Sequence, residues 1–267
     1  MVVVTSRGDV NPDQSGISSA ARLLRLSDFD IKRVFDANQE TPVASLASLD
    51  EADRFRQELQ AFQLESIVVP ESALRLRDEG KRIRALILND ASLTGLGTGK
   101  NGKVTAGYKD IQLIVQGRLF SQRVETQEDR RGRRTKLIAT REFSSDDSVL
   151  DIYTGTDDLN WRIVGNNFDF SCLGAMKRAT AFENFALLIE LLRERVTAPF
   201  DSGYLQSRQI LNVVWPLEER IGKDHGRRGY ERKSNVATIT TTDNEGQFTR
   251  YSRLRHYLIC HEFLGTR

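Results

Sequence analysis

The stretch TPVASLASLDEADRFRQELQAFQLESIVVP, residues 41–70, decides the fold of the N-terminal part of the chain. Ser48 and Glu51 follow the S-x-x-E capping-box pattern, which predicts the start of a helix. The apolar residues behind this cap recur at helical spacing and predict one buried helix face: Ala52, Phe55, Leu59 and Phe62. Short β-prone runs on either side, PVASL and ESIVVP, predict a strand before the helix and a strand after it.

The residues before this stretch extend the pattern. Val2 to Thr5 predicts a buried strand, and apolar residues at helical spacing between Ile17 and Leu24 predict a helix. Ser27 can cap a second short helix, SDFDIKRVF, that ends before Pro42. Residues 1–75 therefore predict a small sandwich with the order β-α-α-β-α-β.

This order resembles the small fold shared by the C-terminal domain of the ribosomal stalk protein and the Clp-protease adaptor. The matching features are the helix SDFDIKRVF, the strand TPVASL, the helix SLDEADRFRQELQAF and the strand ESIVVP. The resemblance implies a protein-binding module. The alternative interpretation is that any small α/β sandwich gives the same pattern.

A second domain, 82–197, is predicted from short strands followed by one helix. The helix covers about 179–196, with a core-facing stripe of Phe182, Phe185, Ile189, Leu192 and Val196. Seven antiparallel strands closed by a helix resemble the pleckstrin-homology-like barrel, which implies a platform for peptides or anionic groups. The predicted strands are Ile83–Leu88, Lys103–Tyr108, Ile111–Gln116, Leu119–Val124, Thr135–Arg141, Val149–Thr154 and Asn160–Val164.

The last segment, 203–267, predicts a helix and a β-hairpin. The helix ends near Pro216, and the polar run DHGRRGYERK, 224–233, is typical of a loop. Val236–Thr242 and Gln247–Leu254 flank the turn formers DNEG and predict the hairpin. The tail HYLICHEFLGTR is apolar enough to dock as a further strand. The whole chain is predicted to be α+β, with three successive units.

Composition and charge are those of a globular protein. The chain has 267 residues and a net charge of +2, but residues 1–75 hold 8 basic and 12 acidic side chains. Residues 1–75 therefore have a negative net charge and the rest of the chain a positive one, which supports a domain boundary near residue 75. Two distant cysteines, no signal-peptide pattern and no long apolar run predict a cytoplasmic protein without a transmembrane segment or a disulfide.

Two Arg-rich segments are the strongest candidates for binding. A mobile run of guanidinium groups can bind phosphates or acidic peptides, although a solvated hairpin tip gives the same pattern. The second segment adds a tyrosine that can stack on a base. The candidate residues are Arg130, Arg131, Arg133 and Arg134 in the first segment, and Arg227, Arg228, Tyr230, Arg232 and Lys233 in the second.

None of the other motifs matches a catalytic or metal-binding pattern, and no cofactor or metal is predicted. The run Gly95 to Lys100 departs from a phosphate-binding loop at both ends and predicts a hairpin loop. His256, Cys260 and His261 crowd the tail but are too few for a metal site. If the protein is an enzyme, the first candidates for its catalytic residues are the acidic pairs Asp146–Asp147 and Asp157–Asp158. The presence of aspartates at these positions is also explained by their tendency to form turns.

The sequence therefore predicts a non-enzymatic, cytosolic protein-binding or adaptor protein with a protein partner, in which oligomerisation is open. One alternative is a nucleic-acid-associated protein that uses the Arg-rich loops. The other is an enzyme with an acidic site. A continuous basic face joining both Arg-rich segments would favour nucleic acid, and an apolar groove or an unpaired strand edge would favour a protein partner.

Overall fold

The computed structural model describes residues 1–5, 14–36, 40–62, 64–74, 81–97, 102–131, 134–155, 157–228 and 231–261. Side chains are described in these ranges except at positions 14, 34–36, 127–131, 134–138, 157–160, 223–228 and 231–237. Helices and strands both form large parts of the chain, so the α+β class is confirmed. The chain divides into two compact units. Unit 1 comprises 1–117, 148–216 and 247–267, and unit 2 comprises 118–147 and 217–246.

The N-terminal elements follow the predicted order β-α-α-β-α-β. They form a three-stranded antiparallel sheet in which the first strand is central and the third and second strands flank it. The elements are β1 (Val2–Thr5), α1 (Gln14–Leu24), α2 (Asp28–Asp36), β2 (Thr41–Ser45), α3 (Leu49–Ala61) and β3 (Ser66–Val69), followed by the short helix α4 (Glu71–Leu74).

These elements share one hydrophobic cluster. Ser48 caps α3 by accepting a hydrogen bond from the Glu51 backbone N–H at 3.2 Å, as the capping pattern predicts. Ala52 and Leu59 on this helix are buried, and Phe55 and Phe62 are half-buried against the same cluster. The cluster also contains Val3, Ile17, Ala20, Ala21, Leu24, Ile31, Val43 and Leu64.

We expect a fragment of residues 1–75 to fold on its own, because every member of this cluster lies within the fragment. The circular dichroism spectrum of the fragment should show the helices α1, α2 and α3, with a cooperative thermal transition. A random-coil spectrum would contradict the predicted boundary near residue 75, which otherwise stays a prediction.

The rest of the chain contains one long strand path and three longer helices. The elements are β4 (Lys81–Leu88), β5 (Ser92–Gly97), β6 (Lys103–Gly107), β7 (Ile111–Arg131), β8 (Arg134–Thr154), β9 (Asp157–Val164), α5 (Ala181–Arg195), β10 (Phe200–Asp201), α6 (Gly203–Val214), β11 (Glu218–Arg228), β12 (Glu231–Asp243) and α7 (Glu245–Cys260), with 3-10 turns at Tyr108–Asp110, Gly165–Asn167 and Phe170–Met176. The order of the strands in the path is β11-β12-β7-β8-β9-β4-β5-β6, and β10 pairs with β7.

Residues 111–116 and 119–124 are strand as predicted, but the predicted break between them is wrong, because β7 runs without interruption from Ile111 to Arg131. A Cβ atom at Gly117 would collide with the ring of Phe248, so this glycine permits a close contact and does not make a turn. The polar run 142–147 likewise lies inside β8 and not in a turn. The pair β4 with β9 is parallel, contrary to the antiparallel prediction, and the short strand β10, which was not predicted, pairs parallel with β7.

Helix α5 lies close to its predicted range, but not all residues of its predicted core-facing stripe are buried. Thr180 and Glu183 form a capping box at its start. Phe185, Ile189 and Leu192 are buried as predicted, and Val196 follows them, whereas Phe182 is 64% exposed. Phe182 lies in the first turn of the helix, before the packed part of the helix begins.

The predicted strand Gln247–Leu254 and the strand-like tail are also wrong, because residues 245–260 form helix α7. Its buried residues Phe248, Tyr251, Leu254 and Leu258 are spaced by three and four positions, which is the helical period. The hairpin of this region is instead made by β11 and β12. The run 224–233, predicted as a loop, therefore lies in those two strands on both sides of residues 229–230.

Candidate functional site

Strand register brings the two Arg-rich segments to the same end of one sheet. In unit 2, β12 pairs antiparallel with β7 from Asp243 opposite Ser121 to Asn235 opposite Asp129. Arg130 and Arg131 continue β7 directly beyond that last pair. The sequence before Asn235 contains Arg232 and Lys233 in the same strand β12. The ends of the hairpins β7–β8 and β11–β12 are therefore neighbours.

The backbone positions of most candidate residues are known. Arg130 and Arg131 end β7 and Arg134 begins β8, while Arg227 and Arg228 end β11, and Arg232 and Lys233 lie near the start of β12. Arg133 and Tyr230 lie outside the described residues, and so do the side chains of all nine candidates.

The tip of the β11–β12 hairpin places like charges opposite each other. Arg227 pairs with Arg232, and Arg228 pairs with Glu231. Residues directly opposite in an antiparallel pair share a face, and two like charges there destabilise the sheet. An anion bound beside Arg227 and Arg232 would remove that cost, so this end of the sheet is chemically suited to a negatively charged ligand.

The sheet of unit 2 is held by polar contacts. Among the described side chains of this unit, only Asp243 and Asn244 are buried. The Asn244 side chain accepts a hydrogen bond from Phe120 N–H at 2.7 Å and donates one to Arg118 C=O at 3.0 Å. Arg118 forms an ion pair with Asp146 at 2.9 Å, and Arg220 forms one with Asp243. The other described side chains of this unit are half-buried or exposed, so its described part has no enclosed apolar core.

Within the described residues, the acidic candidates Asp146 and Asp147 do not form a pair arranged for catalysis. Asp146 is bound to Arg118. Burial, reinforced by the neighbouring charge of Asp146, raises the pKa of Asp147. The side chains of Asp157 and Asp158 lie outside the described part of the chain. No group of three or more His, Cys, Asp or Glu side chains that could hold a metal ion occurs among the described residues.

The histidine and cysteine of the tail meet on α7, because positions 256 and 260 are one helical turn apart. The Cys260 Sγ lies 3.4 Å from His256 Nε2, and Gln112 Oε1 lies 3.1 Å from the same nitrogen. The His256 ring stacks on Tyr153 at 4.3 Å. Neither Cys172 nor Cys260 forms a disulfide.

Gly95 and Gly97, from the segment that was compared with a phosphate-binding loop, lie in β5. This strand forms an antiparallel hairpin with β6, so the segment joins two strands, as predicted. A Cβ atom at Gly95 would lie 2.8 Å from the Ile83 side chain. Thr98, Gly99 and Lys100 lie outside the described residues.

Two buried ion-pair groups of unit 1 escaped sequence reasoning. Arg162 binds Asp151 through two nitrogens at 2.8 and 2.7 Å, and its third nitrogen donates to Thr249 at 2.9 Å. Arg255 reaches Asp201 at 2.6 Å and Glu40 at 2.9 Å. No local sequence pattern predicts these pairs; Glu40 and Arg255, for example, are 215 positions apart.

Charge interactions keep Arg255 protonated. Burial alone would lower the pKa of this guanidinium, but electrostatic interactions with Asp201, Tyr251 and Glu40 outweigh burial and raise the pKa. Tyr251 also donates a hydrogen bond to Asp201 at 2.7 Å. The group therefore ties β10 and α7 to the residue that precedes β2, which is a structural role.

A groove lies between α1 and α3 in unit 1. Its volume is about 520 Å³, and apolar Leu23, Ala61 and Phe62 line it together with Ser19, Arg22 and Glu58. This volume is within the range of ligand-binding clefts.

Comparison of the chain with protein-family models, curated proteins and solved structures gives no match. Within the described part of the chain, no helix combines the length and the apolar character that a membrane span needs.

Proposed function

We propose that this protein binds the phosphate backbone of a nucleic acid through the end of the unit 2 sheet. We call this end the basic end and define it as segments 130–136 and 227–233. The observation that carries the proposal is the β12–β7 register, in which Asn235 lies opposite Asp129 and the two segments follow side by side.

The charge of the basic end supports this proposal. Its two segments contain nine basic residues and one acidic residue, a net charge of +8, whereas the whole chain has a net charge of +2. The remainder of the chain is therefore acidic. A polyanion approaching the molecule is attracted to one place, which accelerates and orients binding.

The chemistry of the basic end favours phosphates over bases. Eight of its nine cations lie in strands that end there, and seven of the nine are arginines. Arg forms bidentate pairs with phosphate oxygens. Such contacts fix position on a duplex and carry no sequence information. The expected activity is salt-dependent binding that does not depend on sequence.

Replacement of Arg130, Arg131, Arg133 and Arg134 by Ser tests the proposal. Wild type should bind a short labelled DNA duplex with a Kd of about 10⁻⁴ to 10⁻⁶ M at physiological salt. Loss of four phosphate contacts should reduce the slope of log K against log salt by about 3.6. Fluorescence anisotropy over a salt series measures this slope. Because surface substitutions seldom change stability by more than about 0.5 kcal/mol, the variant should stay folded.

Two further variants complete the experiment. Serine at Arg227, Arg228, Arg232 and Lys233 should lower the slope as well, because both segments belong to one end. A control that replaces Lys32, Arg33, Arg54 and Arg56 by Gln removes the same charge from α2 and α3 and should leave the slope unchanged. Absence of duplex binding by wild type, or an equal loss in the control, would refute the proposal.

The α1–α3 groove supports a second candidate function, the protein-binding or adaptor role predicted from the sequence. Its apolar floor is Leu23, Ala61 and Phe62, and Arg22 and Glu58 supply one charge of each sign. A short peptide with an apolar anchor and polar flanks fits this lining. If this role is the main one, the serine variants of the basic end should bind the protein partner as wild type does.

A further inference from the structure

Strand β11 forms an open edge of the sheet. It pairs with β12 on one side, and no strand within the described residues pairs with its other side. From Glu218 to His225 its register with β12 is regular, and the first irregularity comes between His225 and Arg227. The exposed N–H and C=O groups of such an edge can bind another strand. Proline, which would block pairing, is absent from this stretch.

The middle of this edge combines an exposed apolar side chain with opposite charges. Ile221 is 65% exposed, more than most large apolar side chains of a folded protein. Glu219 comes two positions before it and Lys223 two positions after it. Because successive side chains alternate along a strand, positions 219, 221 and 223 share one face.

We infer that a second copy of this chain pairs with β11, antiparallel and centred on Ile221. This register brings the two Ile221 residues together across a two-fold axis. It also places Glu219 of each copy opposite Lys223 of the other, so the same opposite-charge pair forms twice. Cross-strand pairs of this kind stabilise antiparallel sheets, and an interface with two-fold symmetry has to be self-complementary in this way.

Neighbouring registers lack this match. A shift by one residue in one direction brings Arg220 opposite Lys223 and Glu219 opposite Asp224, which are like-charge pairs. In the other direction it brings Glu218 opposite Lys223 but places Ile221 against Arg220, so the two Ile221 residues no longer meet. A shift by two residues in one direction brings Arg220 opposite Arg220. In the other direction it brings Arg220 opposite Asp224 but places Ile221 against Lys223, so the apolar contact between the two copies is lost. The register centred on Ile221 has one unfavourable row, Glu218 opposite Asp224, at its two outer ends. Of these registers, only the one centred on Ile221 joins the two exposed Ile221 side chains and also pairs Glu219 with Lys223, and this is the register of the inferred dimer.

A charge exchange tests the dimer directly on the full chain. Sedimentation equilibrium over a concentration series should show a monomer–dimer equilibrium for wild type. Glu219→Lys places lysine opposite Lys223 in both rows, and Lys223→Glu places glutamate opposite Glu219 in both rows. Each change should weaken the dimer by about tenfold. The double variant should restore it, because both rows again join opposite charges.

The substitutions leave the chain's own sheet without new like-charge pairs, since Glu219 lies opposite Thr242 and Lys223 opposite Thr238 in β12. Circular dichroism should therefore be the same for all variants. Mixing the two single variants should give a heterodimer, because every row then joins lysine and glutamate. A wild type that stays monomeric, single variants that dimerise as wild type does, or a double variant as weak as the single variants would overturn the inference.

Discussion

Replacement of Phe185 by alanine should lower the free energy of unfolding by about 3–5 kcal/mol. Phe185 is 2% exposed and belongs to the large cluster that β4, β5, β7, β8, β9 and α5 share. Its ring also lies against Gly165, where a Cβ atom would come within 3.2 Å. Packed surroundings of this kind cannot close around alanine, so the lost transfer energy is increased by the cost of a cavity. Urea denaturation followed by circular dichroism measures the change.

Phe182→Ala on the same helix is the matched control. The side chain of Phe182 is 64% exposed, so its removal should change the free energy of unfolding by no more than about 0.5 kcal/mol. A loss below about 1 kcal/mol for Phe185→Ala would mean that this helix face is not enclosed. Equal losses for the two variants would mean that helix formation, and not burial, determines the effect.

Local signals predicted the helices and strands that carry their own pattern. The cap formed by Ser48 and Glu51 needs only residues three positions apart, so the sequence displays it. The strands β1, β2 and β3 are apolar because the small sheet buries them. In such elements the pattern and the environment agree, which is why the order of the first six elements could be predicted.

The elements that were predicted wrongly are determined by tertiary contacts. Gly117 looks like a turn in the sequence but is required by the ring of Phe248, a residue 131 positions later. The strands β11 and β12 lack the apolar alternation of a half-buried sheet, and of their described side chains only Asp243 is buried, the others being half-buried or exposed. Helix α7 was missed although Phe248, Tyr251 and Leu254 recur at helical spacing, because the preceding turn formers also suit a hairpin.

The sequence was enough to predict which residues form the candidate site, but not how those residues are arranged in space. Both Arg-rich segments can be read from the sequence as dense runs of charge. Their positions differ by about a hundred residues, and only the pairing of β12 with β7 makes them neighbours. The edge strand β11 was hidden for the same reason, because the sequence gives no sign of which strand ends a sheet.

Loss of the Asp151 carboxylate should cost about 3–5 kcal/mol of stability, as expected when one partner of a buried ion pair is removed. The Asp151 side chain is 0% exposed and that of Arg162 is 7% exposed. In Asp151→Ala the guanidinium keeps its bond to Thr249 at 2.9 Å and its position over the Phe248 ring, but no carboxylate balances its charge. Urea denaturation of the full chain should show this loss.

Two comparisons separate the ion pair from simple packing. Asp151→Leu combined with Arg162→Met replaces both charges by apolar groups and should recover most of the stability, because desolvation of the charges offsets much of what their attraction contributes. Asp146→Ala breaks the exposed pair with Arg118, whose side chains are 49% and 35% exposed, and should cost no more than about 1 kcal/mol. If Asp151→Ala costs as little as Asp146→Ala, the guanidinium of Arg162 reaches water, and the pair is not enclosed. If the double variant is as unstable as Asp151→Ala alone, the site requires the shape of the original side chains more than the balance of their charges.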